Sequence, residues 1–240
     1  KGKGEAAEMG LGLPKVWEAF ENYRKVFEIG NLINGYKNSI IVSTATVLLL
    51  VFFSSMAAFV IQRRNKGIVN FVNISIVLGM TIPMMLVPTC FILKMLNLNG
   101  TFTGFVLVSV AAGTPITVFL YTGFFKGVPR SLDESAVLDG CGPIRMFFRV
   151  IFPLVKPVTI TVIVISFMTV WNNVSLPLYI LGNPKKYTVV LTTYMFYGER
   201  NAYWNLIFAD IILVSLPVII LYFLLQKYIV SGMTAGAIKG

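Results

Sequence analysis

Apolar and polar positions in this chain come in blocks. Five stretches, 38–62, 67–93, 95–125, 157–184 and 201–226, are almost empty of Lys, Arg, Asp and Glu. Each is long enough for the roughly 20 residues that cross a ~30 Å hydrocarbon layer. None shows the alternating period of a barrel strand. In lipid a segment must satisfy its own backbone polar groups, so the blocks predict membrane-spanning helices. The spans fall at 39–61, 69–93, 103–125, 157–181 and 205–226. The fold class is therefore all-α, a polytopic transmembrane helical bundle. Residues 38–226 form the membrane domain, which includes a long charged loop at 126–156. Residues 1–37 precede it, and 227–240 follow it as a tail.

Composition agrees. The 240 residues are 56% hydrophobic and 12% charged, with mean hydropathy +0.79, where a soluble domain carries about 25% charged residues. A net charge of +10 would suit nucleic acid, but the basic residues form short clusters at span ends and no continuous basic face. Arg63, Arg64 and Lys66 follow the first span. Lys126, Arg130, Arg145, Arg149 and Lys156 lie in the 126–156 loop, and Lys227 and Lys239 follow the last span. The positive-inside rule makes these three segments cytoplasmic, with Lys185, Lys186 and Arg200 as a minority on the other side. Residues 1–37 are then extracytoplasmic. A polar head does not cross unaided, so an upstream span is expected before the first one here; a five-span protein is the alternative. There is no histidine. Cys90 and Cys141 fit no metal spacing and fall on opposite sides, so neither a metal site nor a disulfide is expected.

The first 13 residues are Gly-rich and charged and read as flexible. Residues 14–29 carry Trp17, Phe20, Tyr23 and Phe27 among charges, which suits an amphipathic helix on the membrane surface or packing against neighbouring loops. Ser43, Thr44, Thr46, Ser54, Ser55, Ala57 and Ala58 make span one rich in small residues that let helices approach closely. Pro83 and Pro88 would kink span two, Gly113 and Pro115 lie in span three, and Pro217 lies in span five. Asp210 is the single carboxylate within a span. It sits about a turn inside the outer end, where a wet, structural role is expected over a proton relay.

The 126–156 loop is the most distinctive segment. Pro129, Ser131, Asp133 and Glu134 form a helix-start signature, and residues 133–139 predict a short helix offering Ala136 and Val137 as an apolar contact. Gly140 ends it in the left-handed conformation, Gly142 and Pro143 turn the chain, and a helix resumes over 144–151 before Pro153 and Pro157. A short rigid helix of this kind can act as a lever whose charges pair at the rim of a partner's groove.

These residues closely resemble the "EAA" coupling loop of permeases in ATP-binding-cassette importers, and those for carbohydrates in particular. The pattern runs Glu134-Ser135-Ala136-Val137-Leu138-Asp139-Gly140, then Arg149-Val150-Ile151-Phe152-Pro153, departing from it at Ser135 (usually alanine) and Phe152 (usually leucine). Glu5-Ala6-Ala7 is a decoy, because Leu11 stands at the glycine position and no run to proline follows. Asn38-Ser39, Ile82-Pro83 and Trp171-Asn172 also match the family, and 226–240 resemble the tail of the maltose-type second permease subunit. The resemblance covers about residues 20–240. It implies the importer permease fold, with five spans present of an expected six.

It further implies Glu134, Ser135, Ala136, Leu138, Asp139, Gly140 and Pro153 as ATPase-coupling residues, and a small, flexible tail with Thr234, Ala235, Gly236 and Lys239 reaching between two ATPase subunits. The 182–204 loop would enter a solute-binding protein, with Tyr194, Tyr197 and Trp204, beside Tyr187 and Tyr203, as contacts or as a membrane-interface aromatic belt. Trp171, Asn172 and Asn173 are candidates for a sugar path, with helix-to-helix hydrogen bonding as the alternative; the family usually has glutamate at Asn173. The implied protein is a multi-pass component of a bacterial or archaeal cell (inner) membrane. It works with a second permease subunit, two ATPase subunits, a solute-binding protein and a carbohydrate, surrounded by lipid and without nucleic acid. No phosphate-binding Gly-x-x-x-x-Gly-Lys loop and no nucleophile–base set occurs, so no catalytic residue is expected. ATP and Mg would be bound by the partner ATPase, with no cofactor on this chain. An ion-driven secondary transporter using Asp210 and an integral membrane enzyme are the competing readings.

Overall fold

A computed structural model describes residues 1–8, 10, 12–15, 17–64, 67–197 and 202–237, with the backbone alone described over 227–237. Leu11, Lys66, Arg200 and Lys239 lie outside the described residues. The helices are α1 (Lys3–Ala7), α2 (Ala19–Ile29), α3 (Leu32–Arg63), α4 (Gly67–Gly79), α5 (Leu86–Met95), α6 (Phe102–Lys126), α7 (Ser131–Leu138) and α8 (Pro143–Met146). A π-turn (Phe147–Ile151) leads into α9 (Phe152–Leu154), α10 (Lys156–Trp171), α11 (Ser175–Leu181), α12 (Val189–Thr192) and α13 (Trp204–Ala237). No strand occurs among the described residues.

Proline interrupts some of the long apolar blocks and not others: α6 and α13 run on through Pro115 and Pro217. Among the described residues, α3, α6 and residues 204–226 of α13 are long and apolar enough to cross a membrane. The pair Pro143–Leu154 and Lys156–Trp171 adds a fourth, bent by 81°. The expected second span is instead interrupted. α4 closes in tighter turns, with Met80 and Thr81 N–H groups on the carbonyls of Val77 and Leu78, and 80–85 separate it from α5. Pro83 lies in that break, where it supplies no N–H and disfavours helical backbone at Ile82. Pro88 sits in the first turn of α5, where a missing N–H costs nothing. The expected fourth span also divides, α10 ending at Trp171 and α11 resuming at Ser175.

The chain forms two compact units. One comprises 1–43, 86–106 and 169–221; the other comprises 44–85, 107–168 and 222–240. In the first, the N-terminal residues are ordered rather than flexible. α1 buries Ala6, Lys1 reaches the carbonyl of Gly10, and Lys15 N–H donates to Glu5 at 3.0 Å. α2 presents three faces. Asn22 and Val26 turn inward, with Asn205 donating to Asn22 at 2.7 Å. Phe20 and Phe27 form an exposed edge, and Glu21–Lys25 and Arg24–Glu28 pair on the surface. The Lys25 ammonium holds the Glu21 carboxyl below the usual carboxylate range.

In the second unit, small residues on α3 and α6 bring those helices together. A Cβ on Gly113 would meet Leu50 at 2.9 Å, Ser54 and Thr117 hydroxyls bond at 2.7 Å, and Ala58 is fully buried. Close approach through small residues is how helices associate without a hydrophobic drive. Around this contact Val118, Tyr121, Phe125, Phe147, Ile151, Val155, Val158 and Val162 form the core.

Candidate functional site

The 126–156 loop belongs to the second unit. α7 covers Glu134, Ser135 and Ala136, with Asp133 and Glu134 in its first turn, where carboxylates suit the exposed N–H groups. It ends in a Schellman closure. Gly140 at φ +74° donates to Val137 at 3.0 Å, and Cys141 N–H donates to Ala136 at 2.9 Å. The side chains separate by face. Ala136 is buried against its own chain, whereas Glu134, Val137, Leu138 and Asp139 are exposed, Leu138 at 88%. The apolar contact offered outward is thus Val137 and Leu138; Ala136, expected to share it, is the inward anchor. Ser135 donates its hydroxyl to Ser131 at 2.9 Å, so its polar atom is satisfied within the helix and its surface stays compact.

The other end of α7 is fastened to the end of α3. Arg63 ion-pairs with Asp133, Nε to Oδ2 at 2.5 Å, and Nη2 donates to Oδ1 at 3.2 Å. Both its Nη atoms also reach the Val128 carbonyl at 3.2 Å. Arg130, just before α7, donates to the Gln62 carbonyl at 3.1 Å. Downstream, Phe147 and Ile151 of the π-turn are buried in the core and Phe152 N–H bonds the carbonyl of Phe147. Pro153 is exposed at the corner where the 81° bend follows.

The residues expected on a sugar path lie in the first unit and differ among themselves. Trp171 is fully buried and its indole N–H donates to the Val214 carbonyl at 3.2 Å. Asn173 accepts from Leu176 N–H at 2.9 Å and so starts α11. Asn172 alone is exposed. Asp210, expected to be wet, is fully buried and accepts from Thr192 at 3.2 Å and Thr193 at 2.5 Å. Tyr194 and Tyr197 are half exposed, with ring centroids 6.0 Å apart, and Tyr197 lies 6.1 Å from Trp204. Thr234, Ala235 and Gly236 continue the backbone helix of α13 to Ala237, so the segment expected to be flexible is helical there.

Several supporting residues had partners that the sequence did not reveal, although Asn38-Ser39 stood out by resemblance. Asn38 donates to the carbonyls of Lys185 and Tyr187 at 3.0 Å each, and Ser39 accepts from Val189 N–H at 2.8 Å. Tyr36 donates to the Leu213 carbonyl at 2.6 Å. That carbonyl lies four residues before Pro217, which has no N–H to give it; a proline within a helix signals that such a donor must come from elsewhere. Asp133 and Arg63 carried a signal too, an acid and a base at two helix ends, but sequence does not say that they meet.

Helices long and apolar enough to cross a membrane thus stand in one chain with a short helix, α7, that is exposed along one side. Residues 50–235 match the family described as the binding-protein-dependent transport system inner membrane component, and the chain belongs to that family. It is 32% identical over 225 residues to the melibiose/raffinose/stachyose import permease protein MelC of Bacillus subtilis (strain 168), covering 92% of this chain and 82% of the relative. It is 33% identical over 230 residues to the probable starch degradation products transport system permease protein AmyC of Thermoanaerobacterium thermosulfurigenes, covering 95% and 84%. A crystal structure of a bacterial ABC transporter involved in the import of the acidic polysaccharide alginate shares the fold, with TM-score 0.82 at 21% identity, covering 95% of this chain and 86% of that one. The protein is thus a multi-pass inner-membrane permease subunit of an ABC importer, and not an enzyme. A component of such a system works with a solute-binding protein, an ATPase and a second permease.

Proposed function

We propose that this chain is one half of a heterodimeric permease that imports a carbohydrate, driven by two ATPase subunits that bind ATP and Mg. The sugar class is supported by the import roles printed for its relatives MelC and AmyC. The 126–156 loop is the cytoplasmic coupling element. The observation that carries this is the face of α7: Glu134, Val137, Leu138 and Asp139 point away from the chain's own core while both helix ends are fixed. A helix fixed to its own chain yet exposed along one side is fitted to sit in a partner's groove. Pro153 would place the bend that feeds motion into α10. The α13 tail, with Thr234, Ala235, Gly236 and Lys239, would extend toward the ATPases. Tyr194, Tyr197 and Trp204 would meet the solute-binding protein on the other side. Of the sugar-path residues, Asn172 is the one free to reach a hydroxyl. Trp171 and Asn173 would act behind it by holding α10, α11 and α13 in place.

The test is sugar uptake and ATP hydrolysis by the reconstituted complex, with Glu134-Ser135-Ala136 replaced or left intact. Joint loss of transport and of solute-stimulated hydrolysis supports the coupling role. Unchanged activity after replacement removes it.

A further inference from the structure

The fastening at the start of α7 runs in both directions, and its chemistry is selective. The last turn of a helix leaves carbonyls without intrahelical partners. Arg130 satisfies one such carbonyl of α3, at Gln62. Arg63, the last residue of α3, reaches back to the Val128 carbonyl beyond α6 and to the Asp133 carboxylate in α7. Three separate pieces of chain are therefore tied at one point: the end of α3, the turn after α6 and the first turn of α7. The Arg63 and Asp133 side chains are only 13% and 18% exposed, and the guanidinium lies 5.7 Å from the Phe59 ring. Little water competes for this pair, unlike the surface pairs of α2. A planar fork of five donors can hold a carbonyl and a carboxylate together, which an ammonium does not reproduce.

We infer that Arg63 and Asp133 are positioning residues that make α7 and α3 move as one lever, so that displacement of the docked helix is delivered to the membrane span. This rests on the reading that α7 docks on the ATPase. α7 has three fixings, and each goes to a different place. Ala136 is packed on the chain's own interior, Gly140 closes the C-terminal end, and the Arg63–Asp133 pair holds the N-terminal end. The last is a buried ionic side-chain tie to a helix that crosses the membrane, beside the exposed Arg130 tie to the Gln62 carbonyl and the packing of Leu132 on the core that includes Ala58. Cutting it leaves the outward face of α7 intact for docking but removes its ionic tie to α3.

The experiment uses the full chain expressed with its companion permease and ATPase subunits, in a Cys90→Ser, Cys141→Ser background. A nitroxide is attached at Leu48→Cys, an exposed position midway along α3. ATP with vanadate is added, and the spectral change at the label is read beside the rate of ATP hydrolysis. Arg63→Glu and Asp133→Arg, each alone, are expected to keep hydrolysis and to cut the ATP-driven change at least about fivefold, the lower end of ordinary coupling between sites. The two together, with the charges exchanged, are expected to restore most of it. Arg130→Ala, on an exposed side chain that does not threaten assembly, should cut it about twofold. The lever is overturned if the single variants assemble and leave the change as in the unmodified chain, or if the exchanged pair is no better than the worse single variant. It is also overturned if the unmodified complex hydrolyses ATP with no change at the label. Should the ATPase fail to bind the unmodified chain at all, the docking reading falls first and the lever with it. Should the single variants not assemble, Arg130→Ala decides alone.

Discussion

The 131–140 helix and the 171–210 region both hold residues that stand out chemically from an apolar chain, and the structure uses them in opposite ways. Around α7 the distinctive groups face outward, Glu134, Leu138 and Asp139 all being exposed. Between 171 and 210, Asn172, Tyr194 and Tyr197 apart, they face inward and find partners within the chain, Trp171 on Val214, Asn173 on Leu176, and Asp210 on Thr192 and Thr193. In lipid an unsatisfied polar group is costly, so a polar residue in an apolar helix becomes interior glue unless a water-filled cavity or another chain takes it up. Exposure of a polar group beside a membrane helix therefore speaks for a partner more strongly than its presence in the sequence does.

The comparison can be broken at its strongest point first. Glu134→Lys or Gly140→Asp should abolish uptake with membrane insertion intact, measured by transport in vesicles and by the amount of chain in the membrane fraction. Gly140→Asp forces a side chain at φ +74°, costing about 1 kcal/mol locally, too little to unfold the chain but enough to displace the helix end. Loss of insertion would make the loop a structural element. Next, Asp210→Ala should take away the half-buried Thr193 hydroxyl's acceptor and one of the two acceptors of Thr192, and lower stability by about 2 kcal/mol, read as thermal unfolding in detergent. Asp210→Asn should retain most of that stability and all of the ATP dependence of transport; a need for the acid itself would revive proton coupling.

Smaller effects sharpen the boundary. Trp171→Phe keeps the ring and loses one hydrogen bond, so about 1 kcal/mol of stability should go while the concentration of sugar at half-maximal transport stays put. A shift in that concentration, with stability unchanged, would place the indole on the path after all. The mildest change is Phe20→Ser on the exposed edge of α2, expected within about 0.5 kcal/mol of the unmodified chain by the same unfolding measurement.

The sequence made some of this readable. Short-range chemistry was nearly sufficient for α7: the glycine stop at Gly140 is where it was expected, while the helix runs Ser131–Leu138, starting two residues before the expected 133 because Ser131 is itself helical. The small residues Ser54 and Ala58 also marked α3 for close approach to a neighbour, but not that the neighbour is α6 at Gly113 and Thr117. Hydropathy blocks were a weaker guide. They count residues without registering that Pro83 divides one block and that 172–174 divide another, so two expected spans appear as pairs of shorter helices. What stayed hidden was pairing over long separations. Nothing local marks Tyr36 as the donor for a carbonyl beside Pro217, or Arg63 as the mate of Asp133. The same holds for the inward turn of Ala136, because an alanine on a short helix carries no preference for either face.

The π-turn at 147–151 has a consequence for insertions and deletions. Its wide ring holds one residue more than an α-helical turn, and both Phe147 and Ile151 reach the core through it. Removing a single residue there would close the wide turn to an α-helical one and leave the flanking phase nearly unchanged, whereas removing one from the α-helical 143–146 would rotate everything upstream by about 100° about the axis. After that second kind of deletion α7 would keep every side chain and lose its heading, like a screw stopped at the wrong phase. Length between Gly140 and Pro153 is therefore a setting of direction as much as of distance, and a natural variant one residue shorter over 143–146 would need a second change elsewhere to bring Glu134 round again.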